Sequence, residues 1–301
     1  MTIKIKQIYL SVGVCNMTRG IVIIAAGTHI YGQWAMNLLM GLKTADSTID
    51  VTLLWQGKAL DLIQHLLGNF NKVIEIPKEC TTRKGLPSLL RTKVCLYDLS
   101  PYDETIYIDA DVITFHNKSI SILFDELKDV DITIGNRGKT DLNTDPKLIW
   151  AKSKDMKDKF GEVTIYNLSS EFIYFKKTNK VREFFNIAKE AFDEPGIDYT
   201  RFAGTVPDEL AFQIAMIKTG IKPHKEIFLP FYWEPYMKKN KTIDQLYKEQ
   251  YYGYSIGGAT LNHQQKQIYD SLAKMYAKGF GIKYPFLSRN KRDFLPERKD
   301  I

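Results

Sequence analysis

An α/β fold with a mainly parallel central sheet flanked by helices is what this 301-residue sequence predicts. Three observations predict it. Short β-rich runs alternate with helix-periodic segments through the first half. The central runs are apolar throughout, as in strands covered on both faces. The helical stretches between them are of the length that crossovers between parallel strands require.

Taken in order, 21–26 (IVIIAA) is a buried strand, preceded by an alternation at Ile3, Ile5 and Ile8. Gly27 breaks it, and 33–43 reads as a helix with Trp34, Leu38, Leu39 and Leu42 at apolar positions. Residues 51–55 form the next strand, and 59–67 the next helix, stopped by Gly68. A third strand at 73–76 is closed by Pro77; 86–99 is helix-periodic, and 105–109 (TIYID) is a fourth strand. The second half is less regular. Strands are expected at 132–135, 171–175 and 251–256, and helices at 181–192, 205–218 and 264–277. The polar stretch 141–159 has the composition of a surface loop or flap.

The composition, 44% apolar and 12% aromatic, is enough to bury a full core. No apolar run approaches the length of a membrane span, so no integral membrane segment is expected. Lys4 and Lys6 are not followed by an apolar run and small-residue cleavage site in the usual order, so no secretory leader is expected. Cys15, Cys80 and Cys95 form neither a paired framework nor a zinc pattern and read as reduced cysteines of a cytoplasmic protein. The net charge of +7 suits a polyanionic partner such as nucleic acid, an anionic membrane surface or a diphosphate, or is simply general solvation. Arg289, Lys291, Arg292, Arg298 and Lys299 concentrate part of it in the tail. Neither G-x-G-x-x-G nor a Walker loop occurs in the first half, which argues against dinucleotide dehydrogenases and P-loop NTPases.

The most informative residues are Asp109-Ala110-Asp111, directly after Ile106-Tyr107-Ile108. In an extended segment, positions two apart point to the same side, so both carboxylates can face one site. A strand's carboxyl end is where a parallel sheet exposes its ligand crevice. Like charges this close repel unless a cation lies between them. Mg²⁺ or Mn²⁺ with a diphosphate as further ligand is the natural occupant. The competing reading is two solvated aspartates opening a turn.

The run from Thr92-Lys93 through Leu96-Tyr97 to Tyr102, followed by Ile106-Tyr107-Ile108-Asp109-Ala110-Asp111, resembles the core of glycosyltransferase family 8, the glycogenin-like enzymes. The match over 91–112 is gapless; elsewhere it is thinner. The resemblance implies a GT-A fold, the Rossmann-like fold of nucleotide-diphospho-sugar transferases. It also implies a UDP-sugar donor, Mn²⁺ or Mg²⁺, and transfer with retention at the anomeric carbon. It casts Lys93 as the lysine near the donor diphosphate and sugar, against a solvated helix lysine, with Arg91 as a second cation. Ala25, Gly27 and Tyr31 fall where the family cradles uridine; Gly27 allows backbone approach and Tyr31 offers a ring to the base. Ala110 lies in the donor motif itself.

Downstream the match departs from the family. Asp208-Glu209 stands where the family has Asp-Gln at a helix start, so Asp208 is a candidate for contact with the reacting sugar. Thr205-x-x-Asp208 equally reads as a helix cap. Ser169-Ser170-Glu171 replaces an Asn-Ser-Gly, and Ser170 or Glu171 takes over its contact. The family's third metal ligand, a C-terminal His, falls on His263, and Lys266 follows as a phosphate-side cation, but the rest of that signature is absent.

One catalytic domain over 1–301 is expected, with a nucleotide-binding half at 20–112, a sugar and acceptor half at 113–235, and a C-terminal strand–helix extension with a basic tail at 236–301. The acceptor is not identified: a glycan, a protein or an anionic polymer such as DNA all remain, with its surface expected on 136–165 and 193–206. Two rivals stand beside this. A haloacid-dehalogenase-like phosphatase would use Asp109 as nucleophile and Asp111 as acid/base, but three strands precede the motif here. A basic nucleic-acid-binding protein would use the charge, but no helix-turn-helix, RNP or finger signature occurs.

Overall fold

The computed structural model describes residues 17–140, 150–233, 241–257, 263–283 and 286, with the side chains of Ser153 and His263 excepted. The expected alternation at Ile3, Ile5 and Ile8, the basic cluster at 289–299, Cys15 and residues 141–149 lie outside them.

Strand β1 (Arg19–Gly27) organises the sheet. Successive side chains of a strand point to opposite faces, and both faces of β1 are covered. Ile21, Ile23 and Ala25 enter one apolar core, Val22 and Ala26 the other. That double burial is why the strand is apolar at every position from Ile21 to Ala26. β1 pairs in parallel with β2 (Val51–Gly57) and with β6 (Glu104–Asp109). β3 (Lys72–Glu75) continues the parallel set beyond β2. On the other side β6 meets β9 (Tyr166–Lys176), and β9 meets β8 (Ile132–Lys139), both antiparallel. The six-stranded order is β3-β2-β1-β6-β9-β8, with β9 the one reversed strand. A smaller sheet, β10-β11-β7, joins Phe231–Tyr232, Gly253–Ser255 and Val112–Thr114. β4 (Thr82–Arg83) and β5 (Leu86–Pro87) form a short hairpin.

Helix α1 (His29–Ala45) covers one face of the large sheet, and α9 (His263–Gly279) packs on α1 and on β7 of the small sheet. α1 is buried on nearly every side because α9 and the small sheet close over its outer face. There the buried Asn37 amide donates to the Tyr269 hydroxyl at 2.9 Å. α6 (Asn179–Asp193) and α7 (Asp208–Thr219) cover the other face. Thr178 caps α6 by accepting from the Val181 amide, and Phe184 stacks on Phe212 of α7 with ring centroids 6.0 Å apart. Short helices complete the chain: α2 (Arg91–Val94), α3 (Leu96–Leu99), α4 (Ile122–Glu126), α5 (Ser153–Phe160) and α8 (Ile243–Lys248). Among the described residues no helix is long and apolar enough to cross a membrane.

Four expectations are corrected. The helix expected at 59–67 is a set of turns passing into a 3₁₀ helix, Gln64–Asn69. Its bonds run three residues back, as in Ile63 N–H to Leu60 C=O at 2.9 Å and Leu66 N–H to Ile63 C=O at 2.8 Å. A 3₁₀ path rises about 2.0 Å per residue against about 1.5 Å for an α-helix, so a short crossover spans more of the strand length. The segment 86–99 is not one helix: its first residues pair in β5, and α2 and α3 meet at a break on Cys95. Within the expected loop 141–159, Ser153–Phe160 is helical around buried Met156. The helix expected from 205 starts at Asp208 behind Pro207, without a side-chain cap. The Thr205 hydroxyl instead shares a 2.9 Å hydrogen bond with Ser88.

Candidate active site

β1 and β6 end side by side, with Ile24 opposite Asp109 in the parallel register. Ligands of open parallel sheets lie beyond these carboxyl ends. Asp109 is the last residue of β6, Ala110 is buried in the turn, and Asp111 is only 6% exposed. The turn is pinned from the small sheet, where the Ile256 amide donates to the Asp111 carbonyl at 3.1 Å.

α2 delivers Lys93 to this point. Its Nζ lies 2.9 Å and 3.0 Å from the two Asp109 carboxylate oxygens and donates to Ser170 Oγ at 3.0 Å. Asp208 Oδ2 is 3.4 Å away, close enough for an ion pair but not aligned as a hydrogen bond. Burial alone would lower the lysine's pKa; Asp109 and then Asp208 outweigh it and hold the ammonium well above its usual range. The Tyr107 hydroxyl donates to Asp109 Oδ1. Burial raises the Asp109 carboxyl, Lys93 opposes that, and Asp111 adds to it.

Two carboxyls in this cluster are residues whose chemistry sequence reasoning underrated, and one cation it missed. Antiparallel pairing sets Ile108 opposite Phe172, so one step further along β9 Glu171 comes level with Asp109. Glu171 accepts from Ser255 Oγ at 2.9 Å, and burial, then Asp111 and Asp109, push its pKa up to about 7. Glu209, in the first turn of α7, accepts from Ser170 Oγ at 3.3 Å and is pushed to about 8 by burial and by Asp208. Arg137 on β8 donates to Ser169 Oγ at 3.1 Å, lies 4.5 Å over the Trp233 ring, and draws both glutamates' pKa values back down. The family resemblance points to Ser170 or Glu171 for a sugar contact, but only the strand register sets Glu171 level with Asp109, and nothing local in sequence marks Arg137.

Of the other residues singled out, Gly27 closes β1 with φ +94°, a conformation side chains rarely adopt, and its carbonyl accepts from the Lys58 amide at 2.8 Å. Ala25 turns its methyl into the core, leaving only backbone for a ligand. Tyr31 sits in the first turn of α1 with its ring edge-on to Trp34 at 5.5 Å. Arg91 is committed elsewhere: its Nε and Nη2 grip both Asp193 oxygens at 2.9 Å and 2.7 Å, tying α2 to the end of α6. Lys266 is half-buried in the first turn of α9 and forms no ion pair with a described residue. His263 opens α9, but its side chain and residues 258–262 lie outside the described residues.

No protein-family model and no curated protein matches the sequence. Solved structures do match the fold. The bifunctional glycosyltransferase WbbM aligns over 88% of this chain with a TM-score of 0.55 and 13% identity. The galactosyltransferase LgtC, determined with donor and acceptor sugar analogues, aligns over 92% of this chain and 98% of its own, with a TM-score of 0.52 and 14% identity. The fold is that of GT-A glycosyltransferases. This chain spans 50% of the WbbM chain and nearly all of LgtC. Identities this low speak for the fold alone. Within the GT-A fold the Asp-x-Asp lies on an interior strand reached after several others, which does not favour the phosphatase reading.

Among the described residues no three His, Cys, Asp or Glu side chains are gathered closely enough to hold a metal by themselves. The donor chemistry nonetheless fits a hard divalent cation. Mg²⁺ is commonly held by one or two carboxylates plus substrate phosphates, rather than by a full protein cage. Asp109 and Asp111 would supply the two carboxylates.

Proposed function

We propose that this chain is a metal-dependent glycosyltransferase of the glycogenin-like kind, moving a hexose from a UDP-sugar to an acceptor hydroxyl with retention. The observation that carries the reading is the convergence of Asp109 and Asp208 on the Lys93 ammonium, each carboxylate within 3.4 Å of it, beside Asp111, at the ends of β1 and β6 of a GT-A sheet. LgtC, described with donor and acceptor sugar analogues, supports the substrate class.

In this reading the nucleotide lies across the end of β1, near the Gly27 backbone and Tyr31. Asp109 and Asp111 would hold Mn²⁺ or Mg²⁺, which when bound neutralises charge on the leaving diphosphate. Lys93, preorganised by Asp109, Ser170 and Asp208, adds fixed positive charge beside the leaving group. Asp208 faces the sugar, with Glu209 and Ser170 next to it. Lys266 and His263 on α9 remain candidates for the phosphate and metal side. Free, buried Cys80 and Cys95 accord with a reducing compartment such as the cytoplasm.

The test is a thermal-shift screen of nucleotides with and without Mn²⁺. UDP with Mn²⁺ is expected to raise Tm, UDP alone much less, and ADP or GDP little. Asp111→Asn is expected to remove both the metal-dependent shift and metal-stimulated UDP-hexose hydrolysis. Unchanged turnover in that variant overturns the assignment.

A further inference from the structure

We propose that Trp150 and Phe202 form an acceptor subsite that stacks on the apolar face of a pyranose ring at the rim of the donor site. The inference rests on the glycosyl-transfer reading above and names the acceptor class that reading leaves open.

The two rings lie with centroids 5.2 Å apart and planes at 49°, and Phe202 is 47% exposed. A solvated phenylalanine contributes little to folding, yet the backbone here is held under strain to present it. Among the described residues only Lys84, Trp150 and Ala203 are non-glycine residues with positive φ, at +50°, +61° and +49°. Two of those three belong to this pair of segments. Phe202 and Thr205 exchange both backbone hydrogen bonds at 3.0 Å around Ala203 and Gly204, each at positive φ, the pattern of a tight turn with a primed twist. The Thr200 amide donates to the Trp150 carbonyl at 2.7 Å, and Ala151 bridges Tyr199. These bonds clamp the two ring-bearing segments together. Strain retained to display the exposed Phe202 ring against the partly buried Trp150 points to a ligand.

The pair is wired to both halves of the donor site through one buried contact. Thr205, at the foot of the turn, shares its hydroxyl hydrogen bond with Ser88, and three residues further on Asp208 reaches Lys93. Next to Ser88, the Leu89 side chain comes within 3.0 Å of where a Cβ on Gly27 would stand. The turn that carries Phe202 therefore leads straight into the helix start that bears Asp208. A ligand resting on the rings would lie at the rim of that site.

Chemistry selects the ligand. Lys93 and Arg137, the cations described behind the rings, are engaged within the donor site by Asp109, Asp208 and Ser169, so neither is offered at the rim to a phosphate chain of DNA. A neutral sugar needs no such partner. Its axial C–H face meets the negative face of an aromatic ring, while its hydroxyl edge stays free to approach the carboxylates.

The test uses the 301-residue chain with Mn²⁺, a panel of UDP-hexoses, and an array of neutral oligosaccharides printed beside duplex DNA. Phe202→Ala and Trp150→Ala are each expected to raise acceptor KM about tenfold, the scale of one lost stacked ring, with UDP-hexose hydrolysis within about twofold of wild type. Hydrolysis intact with acceptor KM unchanged in both variants overturns the subsite and leaves the donor reading standing. Labelling confined to duplex DNA overturns it as well, as does loss of hydrolysis together with transfer in the exposed Phe202→Ala variant. Absence of UDP-hexose hydrolysis by the wild type removes the donor reading and the subsite with it.

Discussion

Lys93→Met removes the cation at the centre of the site while keeping a side chain of similar length. The Lys93 ammonium is 12% exposed and lies within 3.4 Å of Asp109 and Asp208, themselves 21% and 3% exposed. Taking away one partner of a buried pair leaves an uncompensated charge, which costs about 3–5 kcal/mol. For a chain of this size that corresponds to a fall in Tm of roughly 5–8 °C at pH 7. The pH dependence gives a second readout. Without the ammonium, nothing offsets the burial of Asp109, and its carboxyl holds its proton more tightly in the folded state than in the unfolded chain. Stability then rises as pH falls, so the deficit against wild type narrows from pH 7.5 to pH 5. Thermal unfolding of both proteins across that range, without added metal, reads out both effects. A variant within about 1 °C of wild type at pH 7, or a deficit constant across the range, would refute the central role given to Lys93.

Two further outcomes are expected. Glu209→Gln stabilises the ligand-free protein on the alkaline side. The folded carboxyl titrates at about 8, above its free value of 4.5, so its stabilising proton is fully present below 4.5 and lost as pH rises through 8. Wild-type Tm should therefore decline between pH 6 and 9 more steeply than the variant's, with a difference at pH 9 on the order of 3 kcal/mol. Parallel curves would show that Glu209 is not held protonated. Arg91→Ala loses a two-pronged bond to Asp193 and is expected to cost about 1–2 kcal/mol in urea unfolding, the half-exposed carboxylate limiting the effect. Arg91→Lys should recover less than half of that, because an ammonium cannot match the planar fork.

The parts of this site readable from sequence are those carried by local pattern. Asp109 and Asp111 follow an apolar strand, and residues two apart on a strand share a side whatever surrounds them. Lys93 was reached through a gapless run of family-like sequence, although the helix under it is broken at Cys95. Arg137 carries no such local mark, and Glu171, though at a family-like position, carries none that links it to Asp109. Glu171 reaches Asp109 through pairing across more than sixty positions of sequence, and Arg137 enters from a strand that the pattern ended at 135. Thr205 shows the opposite error. Its spacing to Asp208 imitates a helix cap, but its hydroxyl is taken by Ser88 from a distant hairpin. The 59–67 segment differs as well: its helical spacing is met by turns and a 3₁₀ path instead of an α-helix.

The sequence by itself determined the α/β class and the position of the Asp-x-Asp at a strand's carboxyl end, because both follow from periodicities of two and 3.6 residues that are local properties of the chain. It determined no more than the kind of charge that would gather there. Only the tertiary structure decided which charges meet: that Lys93 lies between Asp109 and Asp208, that Arg91 is committed to Asp193, and that two glutamates lie close enough to be driven towards neutrality. Electrostatic coupling falls with distance in space and is blind to distance along the chain, so it appears only once the strands are paired.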